Sequence, residues 1–480
     1  MAEVSHTHVT GEKHLFLDDG IIEELVDARQ VLNQPRKFPG NPVLKPEGGW
    51  EFFHGTSVIY DEEDRLFKMW HGVQKGQKME SGSLGYATSE DGVHWERPKL
   101  GLFEWGGTKD NNVVFPPLMW ATYGVIKDVH DADPARRYKA LFHFCTEDMA
   151  SMGYYQPVCA AYSPDGIHWD PRLHRNPVIW SGTDVVGFGF WWDPEYRRYR
   201  VMLRGSPTEN RRDVWQIAES EDFIDWGERS TVLTSDENAP PQNRNLYDMK
   251  VGRYADMYMG TMSMYHVLHE RWSAYHAVKP DAPSWMQKTD IQLLHSRDAK
   301  HWHWTGDQQV FLPYGSEGSW DQGMLYATNP PFITVGDEIW MYYLGTTRLH
   351  GRSPRTYPDV SVGLAKLRRD GFASVDADEK EGILVTKPLT YGGNRLAINV
   401  DARQGHIRVE IVDPFDGAIP GFSREACDPF SGDAIRHTVT WQGESNIGAL
   451  MQPGSEGFGG IKLKIYLKRA KLYSVEFFEQ

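Results

Sequence analysis

The sequence predicts an all-β protein in which a five-bladed β-propeller is followed by a β-sandwich domain. The main observation is a recurring turn motif, Ser-x-Asp followed four residues later by Trp, with copies at residues 89–95, 163–169, 220–226 and 296–302 and a degenerate copy at 368–372. The aspartates of the five copies are separated by 74, 57, 76 and 72 residues. A period of this length is too long for a helical solenoid and fits a four-stranded blade with long loops.

Each copy of the motif lies beside segments that predict strands. A short apolar run precedes every copy, as at residues 84–87 and 158–162, and an upstream hairpin recurs, as at residues 57–70. Ser and Asp side chains can bond their own backbone and Gly adopts positive φ easily, so the motif itself predicts a turn. Two hairpins per unit make a four-stranded blade, and five units make a ring. The apolar run at residues 15–20 is predicted to be the strand that closes the ring.

A change in pattern marks the second domain. The repeat stops after Val375, and the acidic segment 376–381 leads into six segments that alternate apolar and polar residues up to residue 478. Gly, Pro or Asp turns separate these segments, which is typical of an antiparallel β-sandwich. The sequence therefore predicts a propeller domain at residues 1–375 and a sandwich domain at residues 382–480.

The composition limits the partners and the location of the protein. Its formal net charge is −15 and no basic cluster stands out, which argues against nucleic-acid and anionic-membrane partners. Three scattered cysteines are too few for a disulfide framework or a zinc site. No apolar run approaches the roughly 18 residues of a membrane span, and the first residues lack an apolar leader. We expect a cytoplasmic protein, or a secreted one if a signal peptide has been removed.

The motif and the domain order resemble the propeller glycoside hydrolases, a group that includes families 32, 68, 43 and 117 and the family 130 phosphorylases. Residues 86–95 and 362–372 carry this resemblance. It implies an active site at one mouth of the axial channel, where three acids on the innermost strands act as base or nucleophile, as transition-state stabiliser and as general acid. Glycosidic cleavage passes through an oxocarbenium-like state, which is why such carboxyl groups are needed.

The acids that precede or begin predicted innermost strands are the candidate catalytic residues. They are Asp184, Asp248, Glu317 and Asp321. In the first blade His54 stands where the fructan-active members of the group carry the nucleophilic Asp, and it could serve as a base or as a ligand of phosphate or carboxylate. The alternative for each acid is that it caps a turn. The aspartates of the repeated motif are predicted to be structural.

The predicted binding residues follow the second strands of three blades. His71, His143 and Arg204 are placed at one equivalent position, which predicts a polar rim for sugar hydroxyls, a carboxylate or a phosphate. The alternative is that each caps its own strand through backbone hydrogen bonds. Tyr247 and Trp320 offer faces on which sugars stack. No metal-ligand spacing is present, so no cofactor is expected, although the sequence leaves a structural or axial metal ion open.

The leading functional prediction is a glycoside hydrolase that is exo-acting on an oligosaccharide and uses paired carboxyl groups at the propeller axis. One alternative is a polysaccharide or glycoside lyase, or a phosphorylase, that uses His54 and the cationic rim. Another is a non-catalytic carbohydrate-binding propeller. The predicted partner is a carbohydrate, with no nucleic acid and no membrane. The Met- and His-rich segment 261–276 is interpreted either as a lid or as a contact between copies in a homo-oligomer.

Overall fold

The computed structural model describes most of the chain, namely residues 7–9, 13–47, 51, 53, 55–74, 82–116, 121–143, 157–171, 176–179, 189–205, 212–236, 238–240, 243, 245–267, 283–350, 359–451 and 460–479. Five short strands open it: β1 (Thr7–Val9), β2 (Lys13–Leu15), β3 (Ile22–Val26), β4 (Arg29–Leu32) and β5 (Arg36–Lys37). Two single 3-10 turns are described, Pro134–Arg136 and Gly448–Met451. None of the described helices is long and apolar enough to span a membrane.

A β-propeller follows these strands, and its first three sheets are built from consecutive antiparallel strands. The first sheet contains β6 (Ser57–Asp61), β7 (Leu66–Gln74) and β8 (Gly82–Ser89). The second contains β9 (Ala121–Lys127), β10 (Tyr138–His143) and β11 (Val158–Ser163). The third contains β12 (Phe190–Asp193), β13 (Arg198–Arg204), β14 (Val214–Ser220) and β15 (Ser230–Thr234).

Two further sheets repeat this arrangement. The fourth contains β16 (Asn245–Tyr254), β17 (Met257–Tyr265), β18 (Thr289–Ser296), β19 (His303–Trp304) and β20 (Val310–Leu312). The fifth contains β21 (Met324–Ala327), β22 (Ile333–Val335), β23 (Glu338–Thr346) and β24 (Ser361–Arg368). The described residues thus form five successive sheets whose main strands follow chain order, while β20 and β22 pair beside the main path with β18 and β23, and this is the pattern of propeller blades.

The repeated motif forms the turn that ends the third strand of a blade. In the first copy Asp91 Oδ1 accepts hydrogen bonds from the backbone amides of Val93 and His94, both at 2.8 Å, and Ser89 Oγ accepts from Gly92 at 2.8 Å. The same bonds recur at Asp165, Asp222 and Asp298. The aspartates therefore hold turns, as the sequence predicts.

A second repeated interaction ties neighbouring blades together. The aspartate that ends the first strand of a blade binds a cation on the second strand and a tyrosine hydroxyl of the next blade. Asp61 accepts from Lys68 and Tyr138, both at 2.7 Å. The equivalent sets are Asp128 with Lys139 and Tyr199, and Asp193 with Arg200 and Tyr258. Lys68, Lys139 and Arg200 are therefore structurally equivalent positions.

The ring is closed by β5, which pairs with β24 through Arg36 and Lys37. The expectation that residues 15–20 close the ring is wrong, because β2 pairs with a C-terminal strand. Leu15 and Leu17 pack against apolar residues of the last two blades, whereas Phe16 joins the core of the sandwich. The apolar run that suggested a blade strand thus lies between the two domains.

The C-terminal sandwich has two main sheets around one apolar core. Its own strands are β25 (Ala373–Ala377), β26 (Gly382–Thr386), β27 (Leu389–Tyr391), β28 (Arg395–Asp401), β29 (His406–Val412), β30 (Asp433–Thr438), β31 (Lys462–Lys468) and β32 (Ala470–Phe478). The strands β1 to β4 pair with β27, β32, β26 and β25. The strand pairing therefore differs from the predicted limits of 1–375 and 382–480, because the N-terminal strands and β25 belong to the sandwich sheets.

Asp370, in the degenerate copy of the motif, joins the two domains. Its side chain is buried and accepts hydrogen bonds from Tyr254 of the fourth blade at 2.7 Å and from Ser474 and Asn399 of the sandwich at 2.7 and 3.0 Å. Lys13 Nζ lies 3.0 Å from the same carboxylate. The motif has thus kept its aspartate here, while its partners come from the fourth blade and from the sandwich.

Candidate functional site

The innermost strands of the five blades converge at one level of the axis. A Cβ added to Gly124 in the second blade would lie 2.7 Å from Ser57 Oγ of the first. A Cβ added to Gly189 in the third blade would lie 2.9 Å from Lys250 Cα of the fourth blade. From the fifth blade, Asn329 donates its backbone amide to Thr56 at 3.0 Å and its side chain to Phe190 at 3.4 Å. The channel is therefore narrow at this level.

One edge of the ring carries the candidate site. In an antiparallel blade the beginning of the first strand and the end of the second lie at the same edge. Asp248 lies near the beginning of β16, two residues before the convergence level at Lys250, and Arg204 ends β13 of the neighbouring blade. Asp248 and Arg204 therefore lie at the same edge of the ring, and the charge of Arg204 acts on the Asp248 carboxyl group.

The carboxyl group of Asp248 is a buried titratable group at this edge. The residue is 6% exposed, and its Oδ1 accepts a hydrogen bond from Lys250 Nζ at 2.6 Å. Among the described contacts this is the hydrogen bond that the carboxyl group accepts. Burial raises the pKa of Asp248, while the charges of Lys250 and Arg204 oppose the rise.

A β-bulge sets the direction of Tyr247. The pairing of β16 with β17 shifts between Leu246 and Asp248, so Tyr247 is the extra residue. Its backbone carbonyl accepts a hydrogen bond from Arg204, and the Arg204 guanidinium lies 5.0 Å from its ring centre. The Arg212 guanidinium lies 4.7 Å from the same ring, and the Tyr247 hydroxyl is 3.0 Å from His350 Nε2.

Two further tyrosines complete this group, which we call the Tyr247 cluster: Arg204, Arg212, Tyr247, Tyr265, Tyr326 and His350. The rings of Tyr265 and Tyr326 lie 5.7 and 5.6 Å from that of Tyr247. Tyr247, Tyr326 and His350 are half-buried. Aromatic faces beside fixed cations suit the binding of a sugar, whose C–H groups stack while its hydroxyls accept hydrogen bonds.

His143 ends β10, whereas His71 lies three residues before the end of β7, and both bond to backbone carbonyls. His71 Nδ1 is 3.3 Å from Gly72 O and His143 Nδ1 is 2.9 Å from Pro157 O. Burial lowers the pKa of His71, although the carboxylate of Glu51, 3.8 Å from its Nε2, opposes the shift. Backbone bonding of this kind agrees with the strand-capping alternative.

The proposed equivalence of His71, His143 and Arg204 is wrong. His71 follows Lys68 by three residues, whereas His143 follows Lys139 by four and Arg204 follows Arg200 by four. Because successive residues of a strand point to opposite sides, His71 points away from the face that His143 and Arg204 share. The ion pairs of the hairpins show which residues of the second strands are equivalent. An alignment of the strand ends instead places His71 one residue out of register. The substrate-binding role of the three residues stays a prediction.

Asp321 and Trp320 lie beside the strand that closes the ring. Asp321 Oδ2 accepts from Lys37 Nζ at 2.6 Å and from the Tyr343 hydroxyl at 3.0 Å. Trp320 stacks on Tyr343 with ring centres 5.6 Å apart. Glu317 is exposed in the turn before them. These contacts favour a structural role for Asp321, while the predicted roles of all three residues stay untested.

Two predicted catalytic residues, His54 and Asp184, lie outside the described residues. Within the part of the chain that is described, no group of three or more His, Cys, Asp or Glu side chains could hold a metal ion. The structure thus brings together Asp248, Arg204 and Tyr247 from the predicted set.

Sequence reasoning missed Lys250, Arg212, Tyr265 and His350. Lys250 could have been found, because residues i and i+2 of a strand lie on the same side and Asp248-Met-Lys250 has this spacing. The other three reach Tyr247 from separate segments, and no local pattern indicates that approach.

No protein-family model and no curated protein sequence matches the chain. Solved structures that resemble it include an N-acetylgalactosamine deacetylase from F. plautii in complex with blood group B trisaccharide, at 17% identity and a TM-score of 0.46 over 71% of this chain and 96% of that chain. A β-1,2-mannobiose phosphorylase from Listeria innocua matches at 11% identity and a TM-score of 0.45 over 69% of this chain and 96% of that chain.

A glycoside hydrolase family 43 arabinoxylan arabinofuranohydrolase from Bacillus subtilis, in complex with cellotetraose, matches at 12% identity and a TM-score of 0.41 over 93% of this chain and 99% of that chain. The group that the turn motif resembles is thus represented among the matching structures. Likenesses at these identities and TM-scores do not bear on the reaction of this chain.

Proposed function

We propose that the protein is a glycoside hydrolase that acts at the mouth of the propeller channel with Asp248 as the general acid. The observation that carries this proposal is the position of Asp248, buried at the channel mouth with its pKa raised by burial. A general acid must hold its proton near the working pH, and burial is the usual means of keeping a carboxylic acid protonated. In this proposal the carboxylic acid donates its proton to the departing glycosidic oxygen.

The surroundings support a sugar substrate that is attacked from its end. The Tyr247 cluster supplies stacking faces and donors beside Asp248. The close approach of the inner strands at Gly189 and Lys250 limits how deeply a chain can enter. A site that admits only the end of a chain would act on a terminal sugar, and exo-action on an oligosaccharide is therefore part of the proposal.

The mechanism needs a second carboxylate to attack the anomeric carbon or to activate water. Asp184 is the candidate for this role, because it precedes the inner strand of the third blade, next to the blade that carries Asp248. Asp321 remains a second candidate from the sequence.

The test is turnover of a panel of aryl glycosides and oligosaccharides by the wild type and by Asp248→Asn. We expect the variant to lose roughly two to four orders of magnitude in kcat on substrates whose leaving group needs a proton. Activated aryl leaving groups should lose much less, because they depart without protonation. Equal losses on both kinds of substrate, or none, would contradict the assignment.

The matched control is Asp128→Asn. Asp128 is also a buried aspartate bonded to a lysine at 2.6 Å, but it lies at the opposite edge of the ring. This variant should lose stability and keep its turnover per folded molecule, which separates loss of the acid from general damage.

A phosphorylase is the second candidate function. It is favoured by the two guanidinium groups of Arg204 and Arg212 beside Tyr247, since guanidinium groups suit the recognition of phosphate. Strict dependence of product formation on inorganic phosphate, with a sugar phosphate as product, would favour it over the hydrolase. An unsaturated product would indicate a lyase, and binding without turnover would indicate a carbohydrate-binding protein.

A further inference from the structure

We infer that Lys250 is a positioning residue that sets the charge state of Asp248 and thereby the pH range in which the enzyme works. The inference rests on the proposed function and deepens it. Lys250 Nζ lies 2.6 Å from Asp248 Oδ1, and the side chains of both residues are less than a tenth exposed. An ammonium group held at this distance within a buried site acts on the carboxyl group with little screening by water.

The backbone of β16 holds this pair in place. Asp248 and Lys250 are two residues apart on one strand, so their side chains leave the same side of the sheet. On the neighbouring blade, a Cβ at Gly189 would lie 2.9 Å from Lys250 Cα and 3.0 Å from the amide nitrogen of Val251. The inner strands therefore touch at Lys250, which fixes the backbone from which its buried side chain reaches the carboxyl group.

Within the described part of the chain, two charged groups act on Asp248. Lys250 lies on the same strand as Asp248, and Arg204 lies at the end of β13 on the neighbouring blade. Arg212 and His350 contact the Tyr247 ring and hydroxyl. Burial favours the protonated carboxylic acid, and the two cations favour the carboxylate. Lys250 makes the direct hydrogen bond, so it has the larger part in deciding how far the pKa of Asp248 rises.

The structural ion pairs of the ring behave differently. Asp128 is also bonded to a buried lysine, Lys139, at 2.6 Å, but it accepts additional hydrogen bonds from Tyr199 and from the backbone amide of His130. Burial would raise its pKa, yet these bonds outweigh burial and lower it. Asp248 lacks such additional donors among the described contacts, and its pKa is raised. The carboxyl group of Asp248 is therefore easier to protonate than that of Asp128, which stays charged.

The test compares the pH dependence of kcat in the wild type, Lys250→Met, Lys250→Arg and Lys139→Met on the best substrate of the panel. In Lys250→Met the carboxyl group of Asp248 loses its nearest cation, so its pKa should rise. The basic limb of the kcat profile, where kcat falls as pH increases, should therefore move up by roughly one to three pH units. Lys250→Arg keeps the charge and should keep the limb near its wild-type position. Lys139→Met removes a matched buried lysine and should lower stability without moving the limb.

A second measurement does not depend on activity. The unfolding free energy of Lys250→Met, followed by urea denaturation over pH, should fall as pH rises from about 4 towards the raised pKa of Asp248, because the folded state then binds a proton that the unfolded state has lost. The double variant Lys250→Met with Asp248→Asn should lose this slope. It also removes the uncompensated carboxyl group, and so supplies a second folded protein if the single variant is unstable.

The outcomes separate this inference from the proposed function. The role of Lys250 would be overturned if the basic limb of the kcat profile stayed in place while stability fell, as in Lys139→Met, and if the stability slope of Lys250→Met ended at the same pH as that of the wild type. If no glycoside in the panel is cleaved, the proposed function fails while the stability slope still decides the role of Lys250. If the acidic limb moves up instead of the basic one, Lys250 keeps its role and the assignment of Asp248 as the acid is overturned.

Discussion

Lys37 Nζ lies 2.6 Å from Asp321 Oδ2, and this ion pair fixes the two-residue strand that closes the propeller ring. The Tyr343 hydroxyl bonds to the same carboxylate oxygen at 3.0 Å and links it to the second strand of the fifth blade. The closing segment is also held by backbone hydrogen bonds from Phe38 to Leu364 and between Leu44 and Val362, and the ion pair adds a side-chain contact beside β5 (Arg36–Lys37). Asp321, a candidate acid from the sequence, is thus engaged in closing the ring.

The first prediction is that Asp321→Asn damages stability more than chemistry. The amide keeps the size of the side chain and removes the charge that binds Lys37, which is about a quarter exposed. Because of that exposure we expect a loss of about 1–3 kcal/mol in the unfolding free energy, measured by urea denaturation. The kcat per folded molecule should stay within a few-fold of wild type. A loss of several orders of magnitude in kcat at unchanged stability would return Asp321 to the catalytic set.

The blades could be predicted from sequence because their signals are local. The motif turn is held by bonds among residues two or three apart, such as Asp91 to Val93 and His94. Strand Arg36–Lys37 gives no such signal, since it is polar and only two residues long. Its pairing with β24 joins positions more than 300 residues apart. The same holds for the N-terminal strands of the sandwich, whose partners lie near the other end of the chain.

The candidate site was predictable in part for a similar reason. Asp248 could be selected because it begins a predicted inner strand, and Tyr247 because it adjoins that strand. The bulge that redirects Tyr247 leaves no mark in the sequence, and neither does the approach of His350 from the fifth blade. The register at His71 was wrong by one residue because the second strands end at different points in different blades. The hairpins at the other edge are equivalent in all three blades and would have given the correct register.

The second prediction concerns the bonds between blades. Tyr138→Phe removes the hydroxyl that donates to Asp61 at 2.7 Å and leaves the ring in place. A buried hydrogen bond to a charged group contributes roughly 1–3 kcal/mol, and Lys68 and Lys127 still satisfy Asp61, so the lower part of that range is expected. The measurement is the midpoint of urea unfolding. Tyr60→Phe, on the inner strand of the first blade, is the control and should unfold like the wild type. A Tyr138→Phe protein as stable as this control would contradict the role of the inter-blade bond.

The third prediction is a loss of stability in acid that begins near pH 4. Burial would raise the pKa of Asp165, but hydrogen bonds from His168 and Ile167 lower it to about 2, and the pKa of Asp128 is lowered as well. A carboxyl group whose pKa is lower in the folded state stabilises the protein fully above its unfolded pKa of about 3.9 and loses that effect as pH falls through the folded value. The unfolding free energy should therefore decline from about pH 4 towards pH 2.

Asp165→Asn checks the source of this acid dependence. The variant should be less stable at neutral pH and should show a shallower decline below pH 4, because one of the groups that must be protonated is gone. Asp19, an exposed carboxyl group of the described chain, gives the control substitution Asp19→Asn, which should leave the decline unchanged. Identical slopes in the wild type and in Asp165→Asn would show that the motif turns do not contribute to acid unfolding.

The last prediction is that Gly189→Ala impairs the site without touching a catalytic group. The added Cβ would lie 2.9 Å from Lys250 Cα, closer than side chains approach in folded proteins, so β16 must shift and carry Asp248 with it. Overpacking of this kind costs about 1–3 kcal/mol in stability, and a displaced acid loses catalytic efficiency because proton transfer depends on geometry. We expect a tenfold or greater fall in kcat. Gly227→Ala, whose Cβ would meet its nearest neighbour at 3.6 Å, is the matched control and should keep wild-type kcat. Full activity in Gly189→Ala would show that the contact between the third and fourth blades does not position Asp248.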